Sequence, residues 1–263
     1  MKKLLPVIII VVLLLTAIGG FLIWRGKRVT QEATTEPEQE GVLVETALEE
    51  RPYVTLTPRA DGREFTLEIA RIKNAKKIEY ELVYLSQGLS RGVVGTVDLK
   101  GESEISRKLL LGTCSRNVCK YDEGVEEGTL TLRFRDPNGV RKFVSDFHLQ
   151  QGEDRLSSKD GNFTLEGKLS ADTFYITMAT IGLPQEIKEK VVGGPYGIFA
   201  SGSKVVKNGA VGLTLSEESA GAKLYSWQGT SWQEETDKFE LKDKTLSASV
   251  ASLATFIAAA SSE

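Results

Sequence analysis

Histidine and cysteine are nearly absent from this chain: one histidine and two cysteines occur among 263 residues. A structural zinc site takes four nitrogen or sulfur ligands, so Cys114, Cys119 and His148 fall short without recruiting a carboxylate. The same scarcity excludes a multi-bridge disulfide framework. An excess of one charge is missing too. Thirty-three basic residues stand against 36 acidic ones, a net charge of −3, which leaves no broad basic surface for phosphate backbones and argues against nucleic acid as a partner. There is no G-x-S-x-G elbow, and Gly193-Gly194-Pro195 does not open a helix as a phosphate loop must. No catalytic residue, resident metal or cofactor is assigned on these grounds.

Only one long hydrophobic run is present. From Leu4 to Trp24 there are 21 residues without a charge, about 31 Å of helix against a bilayer core of about 30 Å. The run exceeds the usual length of a cleaved leader's apolar region, and Ala17-Ile18-Gly19 is a poor cleavage site. Residues 1–28 are therefore expected to be an uncleaved transmembrane anchor with basic flanks, in contact with the lipid bilayer. Lys2 and Lys3 face Arg25, Lys27 and Arg28 across it, so the positive-inside rule is nearly balanced. The cysteine pair tips the expected orientation toward a cytoplasmic N-terminus and an extracellular or periplasmic remainder. Residues 29–50 carry seven glutamates and no basic residue, the composition of a solvated acidic linker.

Beyond Arg51 the apolar residues come in short alternating bursts. Tyr53 to Thr57, then Phe65, Leu67 and Ile69, then Ile78, Tyr80, Leu82 and Tyr84 each place every second residue on one face. Strands are also expected at Val93–Leu99 and Ile105–Leu111, and Leu130, Leu132 and Phe134 lead into Asp136-Pro137-Asn138-Gly139, the best hairpin turn in the sequence. Phe143, Phe147 and Leu149 form the return strand, with His148 on its opposite, solvent-facing side. Residues 51–150 are thus expected to be a first antiparallel, immunoglobulin-like β-sandwich. Residues 151–161 read as a linker, and 162–260 as a second sandwich of the same class. In the latter, Pro184 to about Val191 is expected to form a short helix. The predicted fold class is mainly β: an N-terminal transmembrane helix followed by two antiparallel sandwiches.

Three groups of residues carry candidate chemistry. Cys114 and Cys119 are close enough in sequence to close a small disulfide loop, worth about 2 kcal/mol by chain entropy, and a disulfide implies an oxidising compartment. Asp122, Glu123, Glu126 and Glu127 crowd the adjacent loop and are weak calcium candidates, without the ligand-spacer alternation of a dedicated loop. Trp227 and Trp232 flank a tight turn; they are expected on neighbouring strands, either as core or as a ligand-stacking platform.

The segment around those tryptophans has a familiar order: Tyr225 and Trp227 on one strand, the turn Gln228-Gly229-Thr230, then Trp232, then a serine-rich final strand bearing Phe256. With the apolar strand from Lys207 to Leu215, it resembles the end of ZU-type and related β-sandwich modules of modular surface proteins, over about 60 residues. The resemblance implies a spacer or docking domain. Self-cleavage is not implied, because Ala254-Thr255-Phe256 stands where those modules carry His-Phe-Ser. The expected function is a non-enzymatic surface binding or structural module whose partner is an envelope protein or polymer. The alternative is a cell-envelope hydrolase, or its accessory subunit, using carboxylates.

Overall fold

Alternation of apolar and polar residues governs the chain from Tyr53 onward, and every ladder it produces is antiparallel. The computed structural model describes residues 46–261 apart from 117, 138, 218 and 220. A single 3₁₀ turn, Leu48–Glu50, precedes the strands. In chain order these are β1 (Tyr53–Pro58), β2 (Glu64–Ala70), β3 (Lys77–Ser86), β4 (Leu89–Asp98), β5 (Ile105–Leu110), β6 (Gly112–Ser115), β7 (Val118–Tyr121), β8 (Glu127–Asp136) and β9 (Gly139–Gln151). They continue as β10 (Arg155–Ser157), β11 (Phe163–Lys168), β12 (Phe174–Ala179), β13 (Lys190–Ala200), β14 (Val205–Thr214), β15 (Lys223–Trp227), β16 (Trp232–Glu235), β17 (Glu240–Lys242), β18 (Thr245–Ser252) and β19 (Thr255–Ala260).

One nine-stranded sheet, ordered β16-β15-β19-β13-β12-β9-β8-β3-β4, runs through the molecule. A three-stranded sheet, β1-β2-β5, and a five-stranded sheet, β10-β11-β14-β18-β17, pack against it. Strand parity shows that they lie on opposite faces. On β12, Ile176 and Met178 enter the first core with Phe65, Leu67 and Phe147, whereas Tyr175 enters the second with Phe163, Leu213 and Phe256. Side chains alternate across a strand, so β12 contributes to both cores at once. That is why Tyr175, Ile176, Thr177 and Met178 are all buried, while β8 retains strict alternation.

Aromatic pairs join the layers. Phe65 of β2 meets Phe147 of β9 edge to face, with centroids 5.4 Å apart. Phe163 of β11 lies between Tyr196 and Phe256 of the long sheet, at 5.5 and 5.6 Å. Each of the four phenylalanines, fully buried, stabilises the fold by about 1.5–3 kcal/mol, whereas Tyr196 is half-buried. On the β3–β4 ladder Tyr80 lies across from Gly95 and covers it, and a Cβ at that glycine would sit 2.2 Å from the tyrosine oxygen.

The fold is mainly β and antiparallel, as the alternation implies. The hairpin at residues 136–139 is formed, with Asp136 paired to Gly139 at the head of the β8–β9 ladder. The segment 151–161 contains β10, whose Leu156 is fully buried, and strands from both sides of it share the long sheet through the β9–β12 ladder. All described residues belong to one compact unit.

The helix expected from Pro184 to Val191 does not form. Arg71 ties that irregular segment down by donating to Leu183 O and Glu186 Oε1, both at 2.8 Å. β13 has already begun at Lys190, with Val191 paired to Ala259. Leu183 and Ile257 are buried there with Ile187 packed against them, so tertiary contacts override a weak local helix preference. The anchor expected at Leu4–Trp24 lies outside the described residues, as does most of the acidic linker. No helix among the described residues is long and apolar enough to cross a membrane.

Candidate functional site

The strand pairing separates the two tryptophans by role. Trp227 and Trp232 face each other across the β15–β16 ladder, as their spacing implies. Their rings meet at 65° with centroids 5.5 Å apart, so they do not form a coplanar platform. Trp232 is turned inward, donating its indole N–H to Gln185 O at 2.9 Å and packing against the cluster of Leu183 and Ile257. Trp227 instead forms part of a cleft of about 400 Å³.

That cleft lies between the outer face of β1 and the β13, β19 and β15 part of the long sheet. Tyr53, Thr55 and Glu68 form one wall, and Phe199, Thr255 and Trp227 belong to the other. Lys204 lines its rim. The side-chain directions follow from the fold: Val54 and Leu56 of β1 are consumed by the first core, which places Tyr53, Thr55 and Thr57 on the opposite face, where Thr55 is itself buried. Thr55 is paired in register with Glu68 of β2, and its hydroxyl donates to Glu68 Oε2 at 3.4 Å. Tyr53 Oη lies 2.8 Å from Thr255 Oγ1, bridging the two walls at the base. Burial pushes the Tyr53 phenol above its ordinary range; its hydrogen bond with Thr255 opposes this, and the nearby Glu68 charge adds to the rise. The phenol is therefore neutral at physiological pH and able both to donate and to accept.

A second groove of about 440 Å³ shares Tyr53, Thr55 and Glu68 with the first and continues past Ala70 to Glu104 and Ser106. Together they make a trough across the outer face of the three-stranded sheet, with hydroxyls and carboxylates along it and an indole at one end. Such a surface suits a hydroxyl-bearing, extended ligand: rings stack on the half-buried indole while hydroxyls exchange hydrogen bonds with the exposed Glu68, since the buried Thr55 and Thr255 hydroxyls are already bonded to Glu68 and Tyr53. Only Trp227 of this set carried a local sequence signal. Tyr53 and Thr255 stand 202 residues apart, and no spacing rule connects them.

The other candidates occupy separate places. Cys114 and Cys119 are directly paired across the β6–β7 hairpin and form a disulfide. Asp122 accepts from the Tyr84 hydroxyl at 2.8 Å and lies 3.9 Å from Arg91. Glu127 lies 4.0 Å from Lys159, while Glu123 and Glu126 contribute backbone carbonyls to hydrogen bonds from Ser86 and Leu149. Among the described residues no group of three or more His, Cys, Asp or Glu side chains is placed to hold a metal ion. His148 is half-buried rather than solvent-facing, because β10 crosses its side of the sheet. Its Nδ1 lies 3.0 Å from Ser157 O; a carbonyl only accepts, so that nitrogen carries the proton.

Among the described residues, every carboxylate displaced from its ordinary range moves downward. Hydrogen bonding to Arg59 holds Asp61 at about 2, Arg135 lowers Glu79, and the Lys100 backbone N–H lowers Glu102. At Asp160 burial acts upward but is outweighed by hydrogen bonds from Ser158, Tyr196 and Asn162. These groups stay ionised, as structural acceptors do, whereas a general acid needs the opposite displacement.

Compared with protein-family models and with curated protein sequences, the chain matches none.

Proposed function

We propose that this chain is a non-enzymatic binding module of the cell envelope, held to a membrane through Leu4–Trp24 and contacting an extended, hydroxyl-rich polymer along the Tyr53–Glu68–Trp227 trough. The observation that carries this reading is the trough itself. Two contiguous grooves share Tyr53, Thr55 and Glu68, and one is bounded by Trp227. An extended groove accommodates a polymer segment better than a compact metabolite. The Cys114–Cys119 disulfide supports an oxidising, non-cytoplasmic setting for the β-rich portion. Its assignment to two immunoglobulin-like sandwiches, and the likeness of residues 222–260 to ZU-type modules, belong to the same proposal.

Co-sedimentation of the full chain with insoluble cell-wall polysaccharide tests it. Binding weakened about tenfold by Trp227→Ala, with the thermal midpoint nearly unchanged, is the expected result. Equal retention of wild type and variant sinks the assignment of Trp227.

The groove also carries Glu68 and Glu104, which favours, in second place, an envelope hydrolase acting through a carboxylate pair. Release of soluble fragments from the same polymer, abolished by Glu68→Gln or Glu104→Gln, replaces the binding module with the enzyme.

A further inference from the structure

The sheet edges of this protein are treated unequally. β10 and β17 are three residues long and β16 is four. β1 ends in Pro58, and its Val54 N–H is already bonded to Thr180 O at 3.0 Å. β5 carries Arg107 and Lys108, and the β6–β7 pair is closed by the disulfide. Short strands, proline and lysine are the usual means by which an edge is kept from pairing with another chain. β4 is ten residues long, LSRGVVGTVD, without proline or lysine; its charges, Arg91 and Asp98, lie toward its two ends, and among the described residues it bonds to β3 alone.

The hydrogen-bond phase of this edge is determined. Leu99 N–H donates to Lys76 O at 2.8 Å, and the β3–β4 register runs without a shift from there to the turn. Odd-numbered residues of β4 therefore bond β3. Ser90, Gly92, Val94, Thr96 and Asp98 turn their N–H and C=O groups to the open side. Apolar side chains gather beside the same edge, with Leu85 53 %, Leu89 58 % and Val94 73 % exposed.

We propose that β4 is a self-pairing edge, through which two copies of the chain join by an antiparallel β4–β4 ladder about a two-fold axis at Val94. A two-fold axis normal to the sheet generates an antiparallel pair and keeps each face continuous across the join. Centring on Val94 engages all five outward-turned residues: Val94 opposes itself, Gly92 opposes Thr96, and Ser90 opposes Asp98 of the second copy. Shifting the centre to Val93 leaves Asp98 opposite the turn residue Gly88. No like charges meet, since Asp98 faces a serine and Arg91 faces Val97 of the second copy. Close approach is also allowed, because Gly92 and Gly95 present no side chain at the join.

Light scattering of the full chain in detergent micelles, corrected for bound detergent, tests the proposal across a dilution series. Wild type is expected at the mass of two chains, and Val94→Lys at half that mass. The Val94 side chain is solvent-exposed and its N–H does not bond β3, so the substitution leaves the protomer's own ladder intact; an unchanged melting curve checks this. Val94→Cys is the independent arm. It is expected to give a covalent two-chain species on a non-reducing gel, whereas Thr131→Cys, on the same sheet face but two strands from the edge, gives none. A wild type at one-chain mass overturns the proposal, as does a two-chain mass unaffected by Val94→Lys together with an uncrosslinked Val94→Cys.

Discussion

The centre and one flank of the nine-stranded sheet are built from similar strands but covered differently. β12 and β13 are packed on both faces, by the three-stranded sheet on one side and the five-stranded sheet on the other. Among the described residues, β3, β4 and β8 have only their inner face covered. Two consequences follow. At the centre alternation is erased, and even a polar residue such as Thr177 is fully buried. On the flank alternation survives, and valines and charged residues share an open face. The difference shows that a strand's burial is set by what crosses it, not by its own composition.

Substitutions on β9, which borders both regions, sharpen the contrast most. Phe147 points into the first core, and Phe147→Ala is expected to cost about 3–5 kcal/mol in chemical denaturation. A cost below about 1 kcal/mol would break the claim that the Phe65–Phe147 contact joins the layers.

Away from both regions, opening the β6–β7 loop by Cys114→Ser with Cys119→Ser is expected to cost at most about 2 kcal/mol. The trough should be unaffected, which a polysaccharide-binding assay on the variant reads directly.

The doubly covered side also has a pH signature. Asp160 accepts from Ser158, Asn162 and Tyr196, tying the β10–β11 turn to β13. Its folded pKa is lowered, so its stabilisation is fully present above the unfolded aspartate value of about 3.9 and is lost as pH falls through the folded one. Asp160→Asn is expected to lower stability at pH 7 by about 1–2 kcal/mol. It should also flatten the fall in melting temperature below about pH 4 relative to wild type. An unchanged slope refutes the assignment of that fall to Asp160.

Thr177, at the centre, has a buried hydroxyl with no hydrogen-bond partner. Thr177→Val keeps the shape and removes the unpaired group, and is expected to stabilise by about 1 kcal/mol. Val144→Ala, on the open face of β9, is expected to change stability by less than about 0.5 kcal/mol. A larger loss there would mean that something covers the face in solution.

Most strands were legible because they obey period two. β2, β3, β8 and β9 could be placed from their alternating residues alone, and Asp136-Pro137-Asn138-Gly139 identified its hairpin. The segment at Pro184 misled because Pro184 and the residues after it suit a helix start, while the contact that ties it down comes from Arg71, which stands 112 residues from its partner Leu183 in sequence. The site was legible only at Trp227. Tyr53, Thr55, Glu68 and Thr255 look like ordinary strand residues, and nothing local indicates which of their faces meets another sheet.

Taken alone, the sequence determined the β class, the antiparallel hairpins, the disulfide pairing and the absence of a dense metal or nucleophile motif, because all of these depend on composition or on neighbours a few residues apart. Only the tertiary structure decided that one sheet serves two cores, that Trp232 is packing while Trp227 borders a trough, and that β4 is left open. Those features depend on which sheet face is covered, and that is set by pairings between strands far apart in the chain.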